Sequence, residues 1–452
     1  MQSLPLNLKI RMTQERIRQW INEFGEDGVY VSFSGGKDST VLLDIVRKEY
    51  PDIEAVFFDP GLEYPEVREF VKGHDNVKWL KQKMNVREVI SKYGYPMISK
   101  EVSECVYGAR KYLTCILHSE NILTNERTNE RHNYSYFYDK LTGQGKYKKF
   151  SQSPSIDIMA IEKGSSGGTT TNIENSEELA SILNKRMKQN AGGNNQRLAI
   201  MLWWLTKDKD EPIKANIHNE DRSMFSQEKY KFFLDAPFEI SNKCCNVMKK
   251  NPSHDYMKET GRKPITAQMA SESRLRTQKW LQNGCNAFDA KNPISNPMSF
   301  WTEQDVLLYI KENDLKIASV YGDIAIDYCG MGQVDNQINF ADLGLFELDR
   351  PLLKTTGCSR TGCMFCGFGC HLEKSPNRFE RMAETHPKLL DYVMRGGAFD
   401  TDGLWKPTND GLGYWFVLQW INVHGGFNIG IPNYEYYENK YGNEKTREFL
   451  KK

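Results

Sequence analysis

No apolar run in this chain of 452 residues is long enough to cross a bilayer, so a membrane-spanning role is not expected. The first ten residues are too short and too interrupted an apolar stretch for a signal peptide, and the expected location is the cytoplasm. An excess of one charge is also missing. Sixty Lys and Arg stand against 59 Asp and Glu, a formal net charge of +1, which excludes wholesale electrostatic wrapping of nucleic acid and leaves room only for a local basic patch. No internal repeat is visible. Neither a Walker loop, with four residues between its first Gly and Gly-Lys, nor G-x-G-x-x-G occurs around the first glycine-rich turn. In a reducing compartment the ten cysteines are not expected to form structural disulfides. Six of them fall in two tight groups, which points to a metal site. With 39% hydrophobic and 26% charged residues, the chain reads as globular, with one large core or two to three smaller ones.

What is present is concentrated in residues 29 to 40, Val-Tyr-Val-Ser-Phe-Ser-Gly-Gly-Lys-Asp-Ser-Thr. Alternating apolar residues run into a small polar turn, and the apolar helical run Val41, Leu42, Leu43, Ile45, Val46 follows. Strand, loop and helix in this order aim backbone N–H groups and a helix N-terminus at a phosphate. Gly35 and Gly36 let the backbone approach an anion without a Cβ in the way. Lys37 adds a mobile positive charge, and Ser34, Ser39 and Thr40 add hydroxyls.

A helix over 9–24 is expected before this strand. A second buried strand is expected at 54–59, a third at 76–80, and helices opened by Pro65 and at 86–93. Such alternation predicts a doubly wound parallel α/β sheet with helices on both faces. The expected organisation is a first half-domain over 1–110 and a largely helical insertion over 111–235. The second half-domain follows over 236–320, then a Cys-rich region over 321–395 and an aromatic extension over 396–452. Within the insertion, 164–176 reads as a flexible loop, 177–206 as helical, and Trp203 and Trp204 as part of a buried helix face. Thr302 is expected to cap a helix over 302–313, with Glu303 and Asp305 in its first turn. A helical run is expected near 414–423.

Asp59 and Glu63 follow the second strand, at the carboxyl end where open parallel sheets bind ligands. They could meet a ribose hydroxyl, a magnesium ion or an adenine amino group, or simply form a turn and helix cap. Lys249, Lys250, Arg262, Arg274 and Arg276 form a basic set suited to a polyanionic small molecule, with a solvated helix face as the plain alternative. Cys363 and Cys366 form a C-x2-C knuckle, and Cys244 with Cys245 offers two more thiols. Cys358 and Cys370 complete a local C-x4-C-x2-C-x3-C set, which could hold zinc or a cluster by itself. His371 beside it reads as second to the thiols. Cys105, Cys115, Cys285 and Cys329 are isolated and read as buried or incidental.

Ser34 to Ser39, Ser-Gly-Gly-Lys-Asp-Ser, resembles the PP-loop of the ATP pyrophosphatase, or adenine nucleotide alpha-hydrolase, superfamily (HUP-type folds). More of the chain resembles the phosphoadenosine phosphosulfate (PAPS) reductase family within it. The matching segments are the loop with Thr40, the stretch from Asp59 through Gly61, Leu62, Glu63, Tyr64, Pro65 and Glu66, Cys244-Cys245, Glu272-Ser273 with Arg276, Pro297-Met298-Ser299 with Trp301 to Val306, and Cys363 with Cys366. They occur in the family's order over roughly half the chain. The resemblance implies that Ser34, Gly35, Gly36, Lys37, Asp38, Ser39, Thr40, Asp59, Glu63, Glu272 and Ser273 bind an adenine nucleotide. It implies that Lys37, Asp38, Arg274 and Arg276 act in the chemistry. It also implies that Cys244, Cys245, Cys363 and Cys366 hold a [4Fe–4S] cluster, with zinc on the local set as the alternative.

The family's catalytic cysteine lies in a Cys-Gly-Leu-His-like tail, whereas no cysteine follows Cys370 here, and Pro60 stands where the family commonly has Thr. Three readings follow. In the first, a sulfonucleotide reductase-like enzyme of sulfur metabolism acts on adenylated sulfate (APS or PAPS), its thiol supplied by Cys358, Cys370 or a sulfur or thiol donor protein. In the second, an ATP pyrophosphatase uses Mg²⁺, held with help from Asp38 or Asp59, to adenylate an acceptor for sulfur transfer, as in tRNA or DNA thiolation. In the third, the fold is a nucleotide-binding module without catalysis. Tyr112, Tyr134, Tyr136, Tyr138, Lys146, Tyr147, Lys148 and Lys149 could line a nucleic-acid groove or form a mixed surface.

Overall fold

The computed structural model describes residues 1–104, 106–107, 110, 123–125, 130–132, 228–327 and 352–451. The groove residues of the insertion, Trp203 and Trp204, the 164–176 and 177–206 expectations, and Cys105, Cys115 and Cys329 lie outside them. The chain divides into two compact units. One comprises Met1–Val86 and Cys245–Cys366; the other comprises Arg87–Cys244 and Gly367–Lys452.

In the first unit, α1 (Leu6–Phe24) leads into β1 (Val29–Ser32), α2 (Lys37–Arg47), β2 (Ala55–Asp59), α3 (Pro65–Lys72) and β3 (Val77–Lys81). β1 has β2 and then β3 on one side. On its other side lie the strands Lys263–Ile265, Ile294–Ser295 and Asn286–Ala287, in that order. All pairings are parallel except the last, in which Asn286 faces Ser295 antiparallel. Val31 stands opposite both Ala55 and Ile265, which fixes the register at the centre of the sheet.

The strands alternate because both faces are covered. Val29, Val31 and Phe33, with Ala55 and Phe57, enter a core shared with Trp20 and Ile21 of α1, Leu42 and Val46 of α2, and Val306 and Ile310 of the helix Glu303–Glu312. The residues between them, Tyr30 and Val56, turn to the opposite face and pack on Tyr256 of the helix Asn251–Thr260. A period of two along each strand therefore buries two separate helical layers, the doubly wound α/β arrangement expected from the sequence. From β1 the chain passes to β2 on one side and, much later, to Lys263–Ile265 on the other. The carboxyl end of β1 is thus the topological switch point, where such sheets open a crevice for ligands.

Thr302 caps its helix as expected. Its hydroxyl accepts from the Asp305 N–H at 3.4 Å, and the Asp305 carboxylate accepts from the Thr302 N–H at 2.7 Å. That carboxylate also meets Lys9, which is 1% exposed, at 2.6 Å, so α1 and this helix are tied by a nearly buried ion pair.

In the second unit, Met97–Ile98 pairs parallel with Gly367–Phe368, and Tyr95 bridges Ile240. Its helix Tyr414–Gly425 has Tyr414, Trp415, Phe416, Val417, Leu418, Trp420 and Ile421 buried, so it is apolar on nearly every side and lies inside its unit. No described helix is long and apolar enough to cross a membrane.

Candidate functional site

Phe33 ends the run of strand-like residues, and the next three residues turn the chain into α2. Gly35 adopts φ +69° there. A Cβ at this position would stand 2.6 Å from Val71 Cγ2 and 2.8 Å from Val67 Cγ1, so the turn presses directly onto α3. Gly36 is the N-cap of α2. Its carbonyl accepts from the Ser39 hydroxyl at 2.9 Å, the Thr40 hydroxyl at 3.0 Å and the Thr40 N–H at 3.0 Å. The Ser34 and Ser39 hydroxyls lie 3.0 Å apart. Two of the predicted donors, Ser39 and Thr40, thus shape the loop itself in the free protein.

Lys37 is 2% exposed, and its ammonium is ringed by oxygen. Nζ lies 3.1 Å from Glu303 Oε1 and 3.5 Å from Asp38 Oδ1, and it donates to the Ser359 carbonyl at 3.2 Å. Burial works against its charge, but the two carboxylates outweigh that and raise its pKa. Asp38 is pushed up by burial, with Lys37 pulling the other way. Its Oδ1 is buried without a hydrogen bond.

A strap from Gly357 to Thr361 closes over this loop. The Lys37 N–H donates to the Tyr321 hydroxyl at 3.1 Å, and that hydroxyl meets Thr361 Oγ1 at 2.6 Å. Gly357 N and Cys358 N donate to the carbonyls of Tyr321 and Val320, both at 2.9 Å. Burial raises the Tyr321 pKa, so the phenol keeps its proton and can offer it to Thr361 while its oxygen accepts from Lys37. Tyr321, Thr361 and Ser359 were not singled out by sequence reasoning. Glu303 was read as a helix-start acid inside a family-matching segment and was not placed in the site.

The helix Arg274–Asn283 starts beside the same loop. Ser273 is its N-cap and accepts from the Arg276 N–H at 3.3 Å. Glu272 bonds the Met269 N–H at 3.0 Å and pairs with Arg276. Burial lowers the Arg276 pKa, Arg360 lowers it further, and Asp38 opposes both. Lys37, Asp38, Arg276 and Arg360 therefore share one electrostatic neighbourhood. Arg274 is exposed on the same first turn.

The other predicted residues sort differently. Asp59 is 2% exposed, and its two oxygens are taken by the Gly61 N–H at 2.8 Å and by Arg68 at 2.9 Å. In the free protein it caps a turn. Arg262 leaves the basic set, because it pairs with Glu54 at 2.6 Å ahead of β2, at the end of the sheet away from the loop. Lys249 points to Glu63, at 2.6 Å. The knuckle is fixed next to them. Met364 N donates to the Leu62 carbonyl at 2.9 Å, and Cys366 N donates to the Cys363 carbonyl at 3.1 Å. Burial pushes the Cys363 thiol up to about 12, Lys249 opposes it, and Glu63, Cys366 and Cys245 raise it further. Cys245, Cys363 and Cys366 thus share a neighbourhood with the Glu63–Lys249 pair. Cys358 sits on the strap. Cys244 and Cys370 are buried and belong to the second unit, and Cys285 is buried in the first. Among the described residues, no three His, Cys, Asp or Glu side chains are grouped to hold one metal ion.

Lys249→Met should destabilise the protein by about 2 kcal/mol. It strands a Glu63 carboxylate whose side chain is 6% exposed, and the loss is held below that of a fully buried pair because Lys249 itself reaches solvent. Urea denaturation of Lys249→Met against Lys249→Met with Glu63→Gln checks this; the second variant should recover part of the loss.

A model of the phosphoadenosine phosphosulfate reductase domain matches residues 28–101 and 206–367, more than half of the chain. The chain belongs to the PAPS reductase family. The matched segments carry the glycine turn, the Glu272 to Arg276 turn, the Glu63–Lys249 pair and the knuckle. An uncharacterized protein of Methanocaldococcus jannaschii is 41% identical over 73 residues, which cover 15% of this chain and 18% of that protein. This chain therefore spans less than a fifth of that curated relative. Among solved structures, the PAPS reductase of Candida auris, crystallised as a phosphate complex, is 12% identical with a TM-score of 0.28. That match covers 68% of this chain and 82% of the other. Family membership makes this a nucleotide-binding enzyme fold of the sulfonucleotide and PP-loop kind.

Proposed function

We propose that the protein binds an adenine nucleotide with its anionic tail on the turn at 34–40 and acts as a sulfonucleotide reductase-like enzyme on adenylated sulfate. One observation carries this reading. A buried lysine ammonium stands at the first turn of a helix, at the switch point of a parallel sheet, behind a glycine turn too tight for any side chain. Lys37 and the α2 amides would hold the phosphate, and Arg276 would face the charge that leaves with the nucleotide.

A [4Fe–4S] cluster is supported by the donor set. Cys363 lies near enough to Cys245 and Cys366 to feel their charge, so three of the four thiols share one neighbourhood. A cubane takes four such thiolates, one on each iron corner. Cys244, next in the chain to Cys245, would be the fourth ligand. Such a cluster would supply a strong local field beside the substrate. The Cys363 thiol, pushed up by burial, would need that iron charge to ionise.

The second reading, ATP cleavage between the α and β phosphates to adenylate an acceptor, is favoured by the buried Asp38 Oδ1, which pairs with Lys37 at 3.5 Å and makes no hydrogen bond. That oxygen could face Mg²⁺ accompanying ATP.

The test is to incubate anaerobically purified protein with APS or PAPS plus a dithiol, and separately with ATP and Mg²⁺. Sulfite release, with the dithiol oxidised to a disulfide, is the expected result. Pyrophosphate release alone would move the reaction to the second reading. Failure to bind any of these nucleotides would overturn both. Iron near four per chain with a broad visible band is expected; stoichiometric zinc without iron would overturn the cluster.

A further inference from the structure

We infer that the turn at 34–40 is closed at rest by the chain itself: the Tyr321 hydroxyl and the strap at 359–361 hold the donors that an anionic tail needs, and binding must lift them. This rests on the reading of the turn as the tail's binding site and adds how entry to it is controlled.

The donors of the turn carry the argument. A helix start leaves its first N–H groups without partners inside the helix, and those are the groups an anion would use. Here the chain's own hydroxyls take them. The Lys37 N–H, at the start of α2, donates to the Tyr321 hydroxyl at 3.1 Å. The Gly36 N–H donates to Ser34 Oγ at 3.4 Å, and the Ser34 N–H donates to Ser39 Oγ at 3.2 Å. The Lys37 ammonium is engaged by Glu303 and by the Ser359 carbonyl. Gly35, Gly36, Lys37 and Tyr321 are all buried. Backbone that a phosphate has to touch is therefore covered by its own chain.

The cover is pinned at its ends and held to the turn between them. Gly357 N and Cys358 N donate to the Tyr321 and Val320 carbonyls, and Met364 N donates to the Leu62 carbonyl, all at 2.9 Å. Between these pins the strap meets both polar ends of Lys37. Ser359 binds the ammonium at 3.2 Å, and Thr361 binds Tyr321 at 2.6 Å, whose oxygen holds the N–H. Gly362, where a side chain would meet nothing within 4 Å, leaves room for the strap to swing ahead of the second pin. The bonds that close it are neutral oxygens on N–H and ammonium donors. An oxyanion on the same donors makes bonds roughly twice as strong, so an anion can displace the cover where water cannot.

The test pairs calorimetric titration of pyrophosphate and ATP with timed tryptic cleavage after Arg360, which is exposed in the middle of the strap. Wild type, Tyr321→Phe, Thr361→Val and Lys37→Ala are compared. Tyr321→Phe keeps the ring that packs with Val67 and Ala318, so the fold is retained. It leaves the Lys37 N–H open to an anion and should bind pyrophosphate and ATP about 3- to 10-fold more tightly. Thr361→Val, which only loosens the phenol, should gain less. Pyrophosphate should speed cleavage after Arg360 in wild type by roughly threefold or more, because a lifted strap fits a protease. Equal or weaker binding by Tyr321→Phe, or cleavage unchanged or slowed by pyrophosphate, overturns the inference. If Lys37→Ala loses ATP in the same series, the reading of the turn survives that failure. ATP binding equally to wild type and Lys37→Ala, or to neither, sinks both.

Discussion

Lys37→Ala is expected to weaken adenine-nucleotide binding by about 100-fold or more, the largest functional loss of any single change in the first unit. A hydrogen bond to a charged group is worth about 1.5–3 kcal/mol, or roughly 10- to 100-fold. The lysine does more than make one such bond. Its ammonium is what balances Asp38 and Glu303, at 3.5 and 3.1 Å. Without it, an arriving phosphate loses an attractive cation and meets two carboxylates instead. The Ser359 carbonyl also loses its donor, so the strap is loosened. Glu303→Gln on the Lys37→Ala background should therefore recover part of the lost affinity, because it removes one of the two repelling charges. Calorimetric titration with ATP and APS measures both effects, and circular dichroism confirms that the variants fold. Wild-type affinity in Lys37→Ala would mean that the nucleotide binds elsewhere.

Gly35→Ala should lower stability by about 2–5 kcal/mol, the largest structural effect of so small a change. Left-handed backbone costs a side-chain-bearing residue about 1–2 kcal/mol, and Gly35 has φ +69°. The new methyl would also be driven into Val71 and Val67, both fully buried and β-branched, so neither can rotate away cheaply. Overpacking of this sort costs about 1–3 kcal/mol. For a unit of this size the melting temperature should fall by roughly 5–15 °C. Gly36→Ala is the matched comparison. Its Cβ would meet only the Ser34, Thr361 and Tyr321 hydroxyls at 3.3 Å, so it should disturb the mouth of the turn more than the fold. Differential scanning calorimetry of both variants decides the matter; equal small shifts would remove the argument that α3 dictates glycine at 35.

Much of the first unit is legible in the residues themselves, for a common reason. β1 and β2 are apolar and buried almost throughout because two helical layers cover the sheet. Val29 and Val31 go one way and Tyr30 the other. The helix after the glycine turn, the proline that opens α3 and the Thr302 cap are local signals, fixed within four residues by backbone hydrogen bonding. The basic set was only half legible. Lys249, Arg262 and Arg276 look alike as a run of cations, yet one meets Glu63, one Glu54 and one Glu272. Asp59 sits where an open sheet binds ligands, but Gly61 and Arg68 take its oxygens first.

The sequence by itself determined the doubly wound sheet, the glycine turn at its switch point and the family to which the chain belongs, because each is written in short-range pattern: period two, period 3.6, and glycine where no Cβ fits. Only the tertiary structure decided what surrounds the Lys37 ammonium. Tyr321 reaches the Lys37 N–H across 284 residues of chain and Ser359 reaches the ammonium across 322, while Lys249 finds Glu63 across 186. Contacts so distant carry no periodicity and no spacing rule. They exist because burying a charge leaves it to seek whatever opposite charge or lone pair the packed chain brings within reach.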